Sequence, residues 1–207
     1  RFSRTSDAMQ RLAINGFGRI GRTLLRALQE SPHRADLSIV AINELADAPT
    51  VAHLTRYDST HGRFPGEVEL RDGRLCVLSH GEVREKTLLR EADISKLDWS
   101  ADGVDLVLEC SGAFSDRATA EVHLAAGARR VLFSQPAEAD VDATVVFGIN
   151  QHTLAPEHRI ASAASCTTNG IVPVIAALDE AFCIETGTIT TIHSAMNDQP
   201  VLDAYHN

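Results

Sequence analysis

The sequence predicts an α/β fold: a doubly wound parallel sheet followed by the start of an α+β unit. Three observations predict it. Short apolar strands alternate with helical stretches along residues 12–147, the pattern of βαβ units whose strands pair in parallel. A glycine-punctuated turn, Gly16-Phe17-Gly18-Arg19-Ile20-Gly21, joins the first strand to the first helix. A later string of small polar residues, Ser165-Cys166-Thr167-Thr168-Asn169, opens a new helix after the last of those strands.

The elements follow in order. Leu12 to Asn15 reads as a strand. Arg22 to Glu30 has helical spacing, with Ile20, Leu24, Leu25 and Leu28 on one face and Pro32 ending it. Leu37 to Ile42 is a second strand, which completes a βαβ unit. Residues 66–98 read as short strands around Val68-Glu69-Leu70 and Leu75-Cys76-Val77-Leu78, then a charged connector. Val104 to Cys110 is a strand of the buried type. A helix is expected over 115–126, with Ser115 as N-cap and Gly127 as C-cap. Arg130 to Ser134 and Ala143 to Phe147 are further strands. The helix opened by Ser165 is expected to run to about Ala181, and Gly187 to His193 reads as a β-branched strand. The domain junction is expected between Asn150 and Ala164, giving one domain over 9–160 and the first part of another over 161–207. Residues 1–8 are polar and patternless, an expected extension or tag ahead of Met9.

Composition narrows the function. The 207 residues are 44 % hydrophobic and 23 % charged, ordinary for a globular protein. A net charge of −9 argues against a nucleic-acid partner, which would need a basic face. A local cationic site for a small phosphorylated substrate remains compatible with it. No apolar run reaches the roughly 18 residues of a membrane span, and no signal peptide is visible. The four cysteines form no CxxC pair, so reduced thiols and a cytoplasmic location are expected. The nine histidines form no HxxxH pair, and no metal site is expected.

The spacing Gly16-x-Gly18-x-x-Gly21 sits between a strand and a helix. There the glycines would give a tight turn, close approach to a pyrophosphate, and close helix–strand packing. The helix start adds unpaired N–H groups and a positive dipole end. Glu44 ends the second strand 23 residues past Gly21, near the offset of an acid that binds adenosine ribose hydroxyls. An acid there favours NAD over NADP, because it would repel a 2′-phosphate. These features make the first domain Rossmann-type.

A nucleophilic cysteine needs a lowered pKa, access and a base. Cys166 stands at a helix start after Ala163, Ala164 and Ser165, where the dipole would favour a thiolate. His193 follows after one helix and one strand. Cys76, Cys110 and Cys183 lie in or beside apolar runs and read as small hydrophobes. The other eight histidines carry no such pattern.

Together these residues resemble the glyceraldehyde-3-phosphate dehydrogenase superfamily. The matching strings are Ala13 to Arg22, Ala164 to Asn169, and Thr190-Thr191-Ile192-His193, and the likeness runs from about Met9 to the C-terminus. Within the superfamily the chain is similar to the erythrose-4-phosphate dehydrogenases. That likeness rests on Ala41 to Asp47, Tyr57-Asp58, His61 to Phe64, His193 to Gln199, and Asp203 to His206. Met196 and Asp198 stand where glycolytic members carry two threonines, one helping to hold the substrate phosphate.

The resemblance implies a Rossmann-type NAD domain followed by a catalytic domain, with Cys166 as nucleophile and His193 as base. It places Asn15, Gly16, Gly18, Arg19, Ile20, Gly21, Glu44 and Ser134 at the cofactor, and Ser165 and Thr167 at the substrate. The implied partner is a small phosphorylated aldose, oxidised through a thioester that water hydrolyses to 4-phosphoerythronate, a step toward pyridoxal phosphate. Glycolytic members use inorganic phosphate at that stage, which is the alternative reading. A homotetramer is implied for the full-length protein. Gly170 replaces a second cysteine usual in the family, and Ala92 falls where a cofactor-contacting arginine is usual. Because family members continue well past residue 207, the stretch is expected to be a truncated chain. By itself it would be an inactive NAD-binding fragment.

Overall fold

The computed structural model describes residues 9–193. The expectations for residues 1–8, Met196, Asp198 and 203–206 lie outside the described residues. The chain runs β1 (Gln10–Asn15), α1 (Arg19–Glu30), β2 (Leu37–Asn43) and α2 (Ala48–Arg56), then a small hairpin, β3 (Tyr57–Asp58) with β4 (Gly62–Arg63). An antiparallel meander follows: β5 (Glu67–Arg71), β6 (Arg74–Ser79) and β7 (Glu82–Leu89). Then come β8 (Leu106–Glu109), α3 (Arg117–Ala125), β9 (Arg130–Phe133), β10 (Ala143–Thr144), β11 (Ile160–Ser162) and α4 (Cys166–Phe182).

Among the described residues nine strands form one sheet in the order β10-β11-β9-β8-β1-β2-β7-β6-β5. Every pairing from β10 to β7 is parallel. This is a mixed α/β, Rossmann-type domain, and its strand β11 leads through Ala163, Ala164 and Ser165 into α4. Side chains alternate across the pleat, so β1 sends Leu12 and Ile14 to one core and Ala13 to the other. The first core gathers Ile14, Leu25, Ile42, Val51 and Leu75 under α1 and α2. The second gathers Ala41, Trp99, Val107, Ala120, Phe133 and Ile160 beneath α3. Burying each large aliphatic side chain contributes about 1.5–3 kcal/mol, and both faces of the central strands are covered in this way.

Several expectations are corrected. α1 starts at Arg19, three residues early, and Ile20 is 52 % exposed, because it lies on the open first turn and off the packed stripe. Asp116, not Ser115, caps α3 by accepting from Thr119 N–H. The strand expected over 143–147 is only Ala143–Thr144. Asn150 ends it, its amide donating to Thr144 C=O and accepting from Val146 N–H. Residues 187–193 form no strand, since no described strand lies beside them to take their backbone bonds, and they are exposed. Cys183 is exposed rather than packed, in the left-handed region at φ 56, where α4 ends. No residue of α4 is buried, despite its apolar sequence.

Lys86 on β7 is 1 % exposed, and its Nζ donates to Arg84 C=O. Burial, with Arg84 adding repulsion, pushes its pKa down from 10.5 to about 8. Between those two values the unfolded chain binds more protons than the folded one, so stability rises with pH across that window. Lys86→Met should stabilise the fold by about 2 kcal/mol at pH 7 and flatten the rise between pH 8 and 10. Urea titrations at several pH values would check it.

Candidate active site

The strand registers bring one rung together at the carboxyl ends of the parallel strands. Leu89, Asn43, Asn15, Glu109, Phe133 and Ser162 lie side by side on β7, β2, β1, β8, β9 and β11. The chain leaves β1 toward β2 and later returns to β8 on the other side. That reversal is the switch point at which open α/β sheets bind ligands.

The glycine turn lies over it. Gly16 N–H donates to Asn43 C=O at 2.9 Å, and Gly16 sits at φ 87. A Cβ there would meet Ser111 Cα at 2.4 Å, so only glycine lets the turn pass the 110–114 loop. A Cβ at Gly21 would meet Gly16 C=O at 2.5 Å, which sets how closely α1 seats on the turn. Gly18 is different: nothing lies within 4 Å of its Cβ position, and as N-cap of α1 it offers no side-chain cap. Gly18, Arg19 and Ile20 are exposed. The first turn of α1 thus presents backbone donors and a positive dipole end to open space, a cradle for a pyrophosphate.

Glu44 straps the turn in place. Its carboxylate accepts from Phe17 N–H at 2.8 Å and from Ala46 N–H at 3.1 Å. Beside it a cleft is lined by Ala46, Leu88, Leu89 and Arg90, and Arg90 Nε donates to Leu45 C=O at 2.6 Å. Arg90 stands one residue past the end of β7, at the same edge as Glu44 and two residues before Ala92.

Asn15 is 2 % exposed and turned inward. Its Nδ2 donates to Glu109 and its Oδ1 accepts from Asn43. Ser134 follows β9, its N–H donating to Glu109 C=O and its hydroxyl to Gln135. The structure therefore gathers the glycine turn, Glu44, Ser134 and the start of α4 at one edge, and directs Asn15 into the sheet.

The cysteine is positioned from that edge. Ser162 Oγ donates to Gln135 C=O, and Ala163 N–H to Phe133 C=O, tying the exit of β11 to that of β9. Ala164 is buried at φ 61, an unusual conformation for a side-chain-bearing residue, and it turns the chain into α4. Ser165 caps the helix by accepting from Thr168 N–H at 2.8 Å. Cys166 is then the first residue of α4, exposed, with its Sγ 3.4 Å from His193 Nε2. Half-buried Ser165 and Thr167 flank it. The His193 contact lowers the Cys166 pKa; desolvation opposes it, and hydrogen bonds with Thr167 lower it further. Cys110 shows the opposite case, its thiol pushed up to about 12 by burial.

A family model described as glyceraldehyde 3-phosphate dehydrogenase, NAD binding domain, matches residues 10–117, more than half of the chain. The chain belongs to the glyceraldehyde 3-phosphate dehydrogenase family. The model of that family's C-terminal domain matches residues 165–207, so the Cys166 helix begins where the second match begins. NAD is the cofactor of this family domain, and the chain is an NAD-dependent oxidoreductase by family. The residues present fit that dinucleotide: an open helix start for the pyrophosphate, and an acid beside a cleft for the adenosine end.

Two substitutions separate the roles of the glycines. Gly16→Ala should cost about 2 kcal/mol or more of stability through backbone clash and strain, and weaken NAD binding. Gly18→Ala should leave the melting temperature nearly unchanged, yet weaken NAD binding by about tenfold by crowding the pyrophosphate. Thermal melts beside NAD calorimetry would check both.

Proposed function

We propose that the protein oxidises D-erythrose 4-phosphate to 4-phosphoerythronate with NAD, through a thioester on Cys166. The observation that carries the reading is the 3.4 Å approach of His193 Nε2 to Cys166 Sγ at the start of α4, in a chain that carries an NAD domain. The four-carbon substrate is supported by the sequence after His193, where Met196 and Asp198 replace the threonines of glycolytic members. A thioether and a carboxylate are poor partners for a phosphate, so the phosphate would be held differently. The second reading, phosphorylating oxidation of glyceraldehyde 3-phosphate, is favoured by the description of both matching models.

In the proposed reaction the Cys166 thiolate adds to the aldehyde carbon. The Cys166 N–H, at the helix start, stabilises the oxyanion. His193, protonated while the thiol is thiolate, gives its proton to the oxyanion and takes it back from the resulting hydroxyl as the carbon is oxidised. Bound NAD supplies the hydride acceptor. The carbonyl is left as a thioester on Cys166, and water attacks it, releasing the acid and the thiolate. Glu44, Gly18 and the first turn of α1 hold the dinucleotide in this reading, Ser134 lies beside it, and Ser165 and Thr167 flank the aldose. A homotetramer is the proposed assembly.

Assays with each aldehyde, with and without inorganic phosphate, test the substrate. The first reading expects turnover of the tetrose phosphate without added phosphate; a strict phosphate requirement overturns it. The thiol is tested separately. His193→Asn removes the group that lowers the Cys166 pKa, so alkylation by iodoacetamide at pH 7 should slow by about tenfold and recover as the pH rises. Cys166→Ser should abolish NADH formation while leaving NAD binding intact.

A further inference from the structure

The last rung of the sheet contains a buried polar chain that the reaction does not use. Glu109 and His123 are both 0 % exposed. One Glu109 oxygen accepts from Asn15 Nδ2 at 2.6 Å and pairs with His123 Nε2 at 3.0 Å. The other accepts from Ser111 N–H at 2.8 Å and from the Ser111 hydroxyl. Beyond His123, the indole N–H of Trp99 donates to Nδ1 at 3.1 Å. Beyond Asn15, Asn43 Nδ2 donates to Asn15 Oδ1, and Asn43 Oδ1 accepts from Glu91 N–H.

The ends of this chain fix its polarity. The Trp99 indole and the Glu91 and Ser111 backbone N–H groups can only donate. Trp99 therefore makes His123 Nδ1 an acceptor, which leaves its proton on Nε2, facing Glu109. Glu91 sets the Asn43 amide, which sets the Asn15 amide, whose Nδ2 also faces Glu109. All three routes deliver donors to one residue, and only a group that accepts at both oxygens satisfies them.

We propose that Glu109 is a positioning residue for the dinucleotide-binding edge: through Asn15 and Ser111 it holds the glycine turn against the 110–114 loop, and His123 with Trp99 orients it from below. Gly16 and Ser111 already meet with no room for a Cβ, so the shape of the NAD cradle depends on these two loops staying in register. Burial raises the Glu109 pKa, but the His123, Ser111 and Asn15 hydrogen bonds outweigh it and the net shift is downward, consistent with an acceptor throughout. The inference rests on NAD binding and not on the Cys166 chemistry, so it stands or falls separately from the proposed substrate.

The test is NAD calorimetry on the protein, read beside the indole 1H–15N resonance of Trp99, the one tryptophan among the 207 residues. Glu109→Gln keeps size but places an amide donor against donors. It should weaken NAD binding by about tenfold or more and shift the indole resonance even without NAD. His123→Leu removes the support from below and should weaken NAD binding by about fivefold. His123→Gln can still accept from Trp99 and donate to Glu109, and should recover affinity to within about twofold of the parent. If Glu109→Gln does not fold, the two His123 variants decide alone. Equal NAD affinity in His123→Leu and His123→Gln overturns the proposal, as does a folded Glu109→Gln that binds NAD like the parent.

Discussion

A buried carboxylate held by four hydrogen bonds from three parts of the chain constrains this fold. Glu109 is fully enclosed at the end of β8, and an unsatisfied charge there would cost several kcal/mol. Its four donors come from β1, from the loop after β8 and from α3. Satisfying them requires β1 and β8 to end level, and the register places Asn15 opposite Glu109. With the strands level, the turn after β1 must pass the loop after β8 at backbone distance, and the glycine at position 16 permits that. The cofactor edge is therefore set by a polar constraint laid on top of two ordinary apolar cores.

Local chemistry made much of the fold legible. The glycine turn, the βαβ unit and strands β5 and β6 appear as read, because each depends on residues close in sequence, whereas β7 (Glu82–Leu89) is not singled out, its charged residues masking the strand pattern. The misplacements have local competitors. Ser115 and Asp116 are both good caps, and the Ser115 carbonyl is engaged by Glu138 N–H, which leaves Asp116 to start α3. Asn150 competes for the backbone of 144–146 and shortens β10. The β-branched run at 187–193 has strand propensity, but propensity describes fit to a neighbouring pleated surface, and no described strand supplies one.

The candidate site was legible to different depths. The Gly16 and Glu44 positions follow from short offsets. Glu44, however, proves to strap the turn through Phe17 N–H, a contact no offset reveals. The Glu109 chain was invisible in the sequence because its members stand far apart, Asn15 and Glu109 being 94 positions apart. Nothing in the local pattern around Trp99 or His123 points to a cofactor edge.

The two halves of the candidate site are held in different ways. The glycine turn and the β11 exit are locked by backbone bonds to neighbouring strand ends. Cys166 is then aimed outward by Ala164 and the Ser165 cap. His193 reaches it from an exposed segment that pairs with no described strand. The acidity of the thiol is therefore set by a contact and a helix start rather than by enclosure. The comparison with Cys110 makes the physics plain: burial, with the Glu109 charge adding to it, drives a thiol toward the neutral form, while an exposed thiol beside an imidazole moves the other way. Reactivity at Cys166 is thus a direct reading of where the 184–193 segment places His193.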